Sequence, residues 1–313
     1  MIVVLAGGVG AARFLEGVLS VVPQTELTVI SNTGDDLDFF GLRVCPDVDI
    51  VIYTLAGVVD NARGWGLLHD TFHTVTAMQR FGHDTWFNLG DHDLATSLHR
   101  SRRLADGASL SQVTAEIATA YGLSLSILPM SDDRVATRVQ TPAGELAFQE
   151  YFVQRRTEDD VLGVRFSGSE RAQPAAGVLE AIGKAEAVFI APSNPIVSIG
   201  PILAVSGIRE ALQKTRASIV SVSPILGGET IKGPAAKMLR TLGHEVSARG
   251  VGLLYEDFLD ALIIDQVDAA LAPTIEADGL WVRVTDTIMR GRYEKTALAR
   301  AAMETARLGK RDR

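Results

Sequence analysis

Two pairs of carboxylates stand close together in this chain: Asp35 and Asp36 in SNTGDD, then Asp47 and Asp49 in PDVD. A single carboxylate roughly 25 residues beyond a glycine loop suits a ribose hydroxyl. Several near such a loop suit a hard divalent cation such as Mg²⁺, which takes oxygen ligands and bridges to phosphates. The competing use of an aspartate is to cap a turn or a helix. The glycine loop is AGGVGAAR, residues 6–13. Gly7, Gly8 and Gly10 let backbone N–H groups approach an anion, and a helix starting there turns its positive end toward it. Arg13 stands where a dinucleotide fingerprint has its last small residue, and no Gly-Lys-Ser/Thr follows to make a P-loop. A plain tight strand–helix turn is the other reading.

Further loops carry polar groups of the same kind. APSNPIVSIGP (191–201) offers Ser193 and Asn194 as partners for a phosphate or a purine edge, between stiffening Pro192 and Pro195. SPILGG (223–228) repeats the pattern with Ser223 and a glycine pair. In GDHDLATS (90–97), Asp91 and Asp93 read as caps of the helix that follows, and Arg100, Arg102 and Arg103 as a solvated basic face. The histidines lack metal-ligand spacing, so zinc is not expected. No G-x-S-x-G elbow or reactive-cysteine context is present.

The elements that position these loops alternate. Apolar, β-branched runs at IVVLA (2–6), LTVIS (27–31), AVFIA (187–191), SIVSVS (218–223) and ALIID (261–265) read as buried strands. Amphipathic stretches between them read as helices, among them AARFLEGVLSVV, AAGVLEAIGKA, GIREALQKT and GPAAKMLRTLG. This predicts an α/β, Rossmann-like three-layer fold with a parallel sheet covered on both faces. In such sheets ligands bind beyond the carboxyl ends of the strands, which is where the polar loops fall. Residues 55–165 break the rhythm. WGLLHDTFHTVTAMQRFG, DLATSLHRSRRLADG and SLSQVTAEIATAYGL read as helices, and ATRVQTPAGELAFQEYF as a β-hairpin about Pro142-Ala143-Gly144. One domain spanning 1–313 is expected, with 55–165 inserted over the strand ends. Trp65, Trp86, Phe148 and Phe152 are available there to wall an apolar slot or to pack the insertion itself. The closing RLGKRDR is expected to be a frayed basic tail.

Composition agrees with an ordinary globular enzyme: 313 residues, 47% hydrophobic and 22% charged. A net charge of −8 gives no general attraction for nucleic acid or an anionic membrane. One cysteine, Cys45, excludes an internal disulfide framework. The apolar start lacks a basic region and is interrupted by glycines, Arg13 and Glu16, unlike a signal peptide. With no membrane span in view, a cytoplasmic protein is expected.

Read in order, GGVGAARFL, NTGDD, RVCPDVDIVIYTLAG, RGWG, LGDHDLATSLHRS, LPMSDD, FQEYFV, APSNPIVSIGPIL and SPILGG resemble the 2-phospho-L-lactate transferase family of deazaflavin coenzyme F420 biosynthesis. The resemblance runs from residue 1 to about 265. It implies a Rossmann-like fold and usually a homodimer. It also implies transfer of a phospholactyl, or in many bacteria a phosphoenolpyruvyl, group from a GMP-activated diphosphate donor. The acceptor would be 7,8-didemethyl-8-hydroxy-5-deazariboflavin, with GMP leaving. Asp35 would then hold Mg²⁺. Asp47 and Asp49 would add a metal ligand, bind the ribityl chain, or orient and deprotonate the attacking hydroxyl. Gly7, Gly8, Gly10, Ser193 and Asn194 would cradle the donor. His92 stands where relatives usually carry Arg in GD-x-D, which replaces a permanent charge by an imidazole hydrogen bond at a position tied to the acceptor. Two other functions fit parts of the pattern. A nucleotide-sugar-binding regulator of the same fold would not need PDVD, RGWG and the hairpin together. A nicotinamide-dependent oxidoreductase is disfavoured by Arg13 and by the cluster of acids.

Overall fold

Seven short strands pair in parallel in a single sheet. In this computed structural model, which describes residues 1–230 and 233–309, they are β1 (Ile2–Ala6), β2 (Leu27–Ser31), β3 (Ser126–Pro129), β4 (Ala187–Ile190), β5 (Ser218–Val222), β6 (Ala261–Asp265) and β7 (Trp281–Thr285). Their order is β7-β6-β5-β4-β1-β2-β3, with every pairing parallel. Successive side chains point to opposite faces, so Val3, Leu5, Ile30, Val188 and Ile219 enter one core. Val4, Val29, Phe189, Val220 and Ile263 enter the other. Helices cover both faces, which gives the expected three-layer α/β architecture. No single helix among the described residues is long and apolar enough to cross a membrane.

The order of connection reverses between β1 and β4. In a doubly wound sheet that reversal opens a crevice at the carboxyl ends of the strands. Register makes the crevice sharp: Leu5 of β1 lies opposite both Ile30 of β2 and Ile190 of β4. The loops after these three strands therefore emerge side by side. Helix α1 (Val9–Leu19) leaves β1 at Gly8 and buries Ala11, Phe14, Leu15 and Val18 against the sheet, with Phe14 edge-on to Phe189. Gly17 lets the C-terminal helix Arg292–Leu308 lie against α1, since a Cβ there would sit 2.1 Å from the Lys295 carbonyl oxygen.

The five strands read from the sequence are all present, and two more complete the sheet. Both lie at its edges and carry the weakest signal. Ser126–Pro129 is four residues long, and Trp281–Thr285 is only partly buried. Because β3 falls inside 55–165, that stretch is not one excursion. Its helices, with α2 (Pro46–Leu55), α3 (Asp91–Ala105) and α4 (Leu110–Ala120), form the crossover from β2 to β3. Only the antiparallel part lies between β3 and β4. There Ala136–Thr141 pairs with Gly144–Ala147 as the hairpin, and Gly163–Ser167 adds a third strand. The hairpin ends at Ala147, where the N–H donates to Glu150 Oε2, and FQEYF turns into a helical segment over Glu150–Gln154. Within WGLLHDTFHTVTAMQRFG the α-helix covers only His73–Met78. Arg307 and Leu308, expected in a frayed tail, complete the C-terminal helix, and Lys310–Arg313 lie outside the described residues.

A candidate acidic site at the strand-order reversal

The glycine turn is shaped by close approach. Gly7, Gly8 and Gly10 all lack positive φ. A Cβ on Gly7 would meet Ser198 Cβ at 2.4 Å, and one on Gly10 would meet the Pro192 carbonyl oxygen at 2.3 Å. The loops after β1 and β4 are thus pressed together, with the Gly7 N–H donating to Ser193 Oγ at 3.4 Å. No side chain caps the start of α1. Its first-turn N–H groups have no partner within the helix and are available to an anion.

Asn32, one residue past β2, ties the crevice together. Its Nδ2 donates to Asp47 Oδ2 at 2.9 Å and to the Val197 carbonyl at 3.4 Å, while its Oδ1 accepts from the Gly34 N–H at 2.8 Å. Asp47 sits in the first turn of α2, which opens with Pro46, and its Oδ1 lies 2.6 Å from where a Cβ of Gly8 would be. One asparagine therefore connects the loops after β2 and β4 to the head of α2, and Asp47 faces the glycine turn. Nothing in the sequence marked Asn32 beyond its place in a polar loop after a strand.

Burial sets the electrostatics. Desolvation, followed by the charge of Asp47, pushes the Asp35 carboxyl well above the ordinary range. Desolvation takes Asp47 up to about 7, against the opposing hydrogen bond from Asn32. Asp36 rises to about 6 for the same first reason, opposed by Arg43, whose Nε lies 3.2 Å away. The Cys45 thiol donates to Asp36 Oδ2 at 3.0 Å and is itself pushed up by burial. Around the end of β2, Ser31 Oγ, Thr33 Oγ1, Asp35 Oδ1 and Asp36 Oδ1 are buried with no hydrogen-bond partner, as is Thr137 Oγ1 from the overlying hairpin. Buried polar atoms are seldom left unpaired, so such a concentration marks a place for a ligand, ion or water. No three His, Cys, Asp or Glu side chains among the described residues converge as a metal cage. A cation would draw on Asp35 and Asp47 and complete its shell with substrate and water oxygens, which is how Mg²⁺ is usually held.

Other expected residues have different surroundings. Asp49 forms a buried ion pair with Arg100, and burial raises its carboxyl while that arginine opposes the rise. Arg100 is not on a solvated face; its side chain is fully buried. Asn194 Oδ1 accepts from the Ile196 and Val197 N–H groups and so caps the turn Pro195–Ile199. Ser223 is buried in its own turn, bonded through Oγ to the backbone of Ile225. Asp91 caps the helix His73–Met78, as a cap was expected but on another helix. The cap of α3 is supplied by Asp70, which accepts from the His92 and Asp93 N–H groups.

His92 lies away from the crevice. Asp49 meets Arg100 near the head of α2, and the Tyr53 hydroxyl donates to Asp93 Oδ1 at 2.7 Å one turn further on. The two helices therefore run antiparallel, which puts His92 beside the C-terminal end of α2, about 10 Å along the helix from Asp47. It lines an open cavity of about 540 Å³ with Val58, Leu67, His69, Thr96 and Tyr121. Of the aromatic residues considered for a slot, Trp65, Trp86 and the Phe148–Phe152 pair form three groups that share no ring contact with one another. Trp65 packs on Phe72, Trp86 on Phe39 and Phe87, and Phe148 stacks on Phe152 at 5.5 Å.

A doubly wound parallel sheet with an acidic crevice at its reversal point defines the class as an α/β protein of the Rossmann kind. The chain belongs to the family described as 2-phospho-L-lactate transferase CofD, whose model matches residues 2–292, and it is a transferase. It is 44% identical to the phosphoenolpyruvate transferase of Kitasatospora aureofaciens, over 97% of each chain. It is 39% identical to the 2-phospho-L-lactate transferase of Methanosarcina mazei, over 96% of this chain and 99% of that one. A crystal structure of a UPF0052 family protein from Bacillus halodurans has the same fold at 18% identity, with a TM-score of 0.65 and 96% of this chain covered.

Proposed function

We propose that this transferase moves a 2-phospholactyl or phosphoenolpyruvyl group from a GMP-linked diphosphate donor to 7,8-didemethyl-8-hydroxy-5-deazariboflavin. A ribityl hydroxyl oxygen of the acceptor forms a bond to phosphorus and releases its proton to water, the bond from that phosphorus to the GMP oxygen breaks, and GMP leaves with the electron pair of that bond. The observation that carries the reading is buried Asp47 facing the glycine turn at the uncapped head of α1, with buried Asp35 near enough for the charge of Asp47 to raise its carboxyl. The names of the relatives supply the substrate class.

Asp35 and Asp47 fit Mg²⁺, because Asp35 Oδ1 is buried without a partner and the charge of Asp47 raises its neighbour. Bound Mg²⁺ supplies charge neutralisation at the donor phosphates. The remaining work belongs to the chain. First-turn N–H groups of α1 receive phosphate oxygens. Asn32 holds Asp47 toward them. The walls of the crevice keep the acceptor hydroxyl in line with phosphorus, and positioning of this kind dominates phosphoryl chemistry. No protein nucleophile is required.

The test is direct. Purified protein is incubated with the deazaflavin, Mg²⁺ and each synthesised donor in turn, and product mass and GMP release are followed. One donor gives a product heavier by its phospho-acid group, with equimolar GMP. No product and no GMP from either donor overturns the reading.

A further inference from the structure

The acids of the crevice come in two pairs with the same arrangement. In SNTGDD, Asp36 is held by Arg43 while Asp35 has no cationic partner. In PDVD, Asp49 is held by Arg100 while Asp47 is bonded only to the neutral Asn32. The two arginines are themselves joined: Arg100 Nη1 donates to the Arg43 carbonyl at 3.2 Å, and the Arg43 N–H donates to Ser101 Oγ at 2.7 Å on the same helix as Arg100. Arg100 thus reaches from α3 to the head of α2 and, through Arg43, to the loop after β2. Its side chain is fully buried and its Nε has no partner.

We infer that Arg100 is a positioning residue for the transfer site, and that Arg100 and Arg43 neutralise Asp49 and Asp36 so that Asp35 and Asp47 are the two carboxylates left to a cation. The inference rests on the reading of that pair as the Mg²⁺ site. A buried ion pair is a poor device for stability alone, because an apolar pair of similar volume often does as well or better. It does fix geometry. The bond to Asp49 sets the first turn of α2, two residues from Asp47, and the bond to the Arg43 carbonyl sets the short strand Leu42–Val44, whose arginine holds Asp36. It also fixes charge. Four bare carboxylates would repel one another and bind cations without discrimination, whereas two match a cation that keeps substrate and water oxygens in its shell.

The experiment measures Mn²⁺ binding to the full-length protein in the presence of GDP by electron paramagnetic resonance, alongside circular dichroism to quantify the folded fraction. Wild type binds Mn²⁺. Asp49→Asn leaves the Arg100 cation unpaired at the head of α2, two residues along the helix from Asp47, and weakens Mn²⁺ binding by about tenfold or more per folded molecule, the scale expected of an uncompensated buried unit charge nearby. Asp49→Leu with Arg100→Met removes both charges, keeps the packing, and returns Mn²⁺ affinity to within about threefold of wild type. Arg43 also faces Asp38 at 3.8 Å, so Asp36→Asn with Asp38→Asn, which removes both carboxylates beside it, carries the same expectation if Asp49→Asn does not fold. Unchanged Mn²⁺ affinity in folded Asp49→Asn or in that folded double variant overturns this inference and leaves the metal reading standing. Failure of wild type itself to bind Mn²⁺ overturns the metal reading and the inference with it.

Discussion

Gly10 and Pro192 meet where the strand order reverses: a Cβ on Gly10 would lie 2.3 Å from the Pro192 carbonyl oxygen. Gly8, two residues earlier, faces a different neighbour, the Asp47 carboxylate, whose Oδ1 is 2.6 Å from its missing Cβ. One glycine seats α1 against the loop after β4. The other leaves room for a functional side chain.

This contrast predicts two outcomes. Gly10→Ala overpacks backbone on backbone and lowers stability by about 1–3 kcal/mol, with GDP and deazaflavin binding falling together. Gly8→Ala pushes on a side chain that can move, so it costs less in urea denaturation but weakens Mn²⁺–GDP binding selectively. Equal stability losses in the two variants, with equal effects on both ligands, would contradict the assignment.

The metal reading makes Asp35→Asn the sharpest substitution. The amide keeps size and burial but removes a ligand charge, so transfer falls by about a hundredfold or more while the circular dichroism spectrum is retained. EDTA abolishes wild-type turnover and Mg²⁺ or Mn²⁺ restores it. Turnover by Asp35→Asn at wild-type rate in EDTA would remove the metal from the mechanism.

Much of the site was legible because apolar strands followed at once by Gly, Asn, Ser and Asp leave few other readings. AGGVG, SNTGDD and APSN do converge at the reversal point. What the sequence hid depends on contacts between distant residues. Arg100 reads as one more base in a basic run, since its partner Asp49 is 51 residues away. The location of His92 follows from the antiparallel packing of α2 on α3, which no local pattern encodes. Asn194 looked like a ligand donor, yet its carbonyl oxygen serves the next two N–H groups along the chain. The two edge strands were missed because short or half-exposed strands carry little apolar periodicity.

That capping role can be separated from ligand binding. Asn194→Ala removes the acceptor for the Ile196 and Val197 N–H groups and lowers stability by about 1 kcal/mol, whereas Asn194→Asp, which keeps the acceptor, retains most of it. Thermal denaturation of the three proteins without ligand checks this. A stability unchanged by Asn194→Ala would show that the cap contributes nothing.

Asp93 offers a test by pH. Burial, followed by the charge of Asp49, raises its carboxyl to about 7, with Tyr53 donating to it. A carboxyl raised in the folded state favours folding in its protonated form. Its contribution is therefore fully present below the ordinary carboxylate range near 4 and is lost as pH rises through about 7. Asp93→Asn keeps an oxygen for Tyr53 and removes the buried charge. Urea denaturation midpoints should match wild type at pH 4. At pH 8 the variant should be more stable by about 1–3 kcal/mol, a fraction of the full shift because the buried amide needs partners of its own. Asp36 and Asp47 continue to titrate, so a shallower slope remains in the variant. Parallel curves for the two proteins between pH 4 and 8 would mean that Asp93 is not protonated in the folded state.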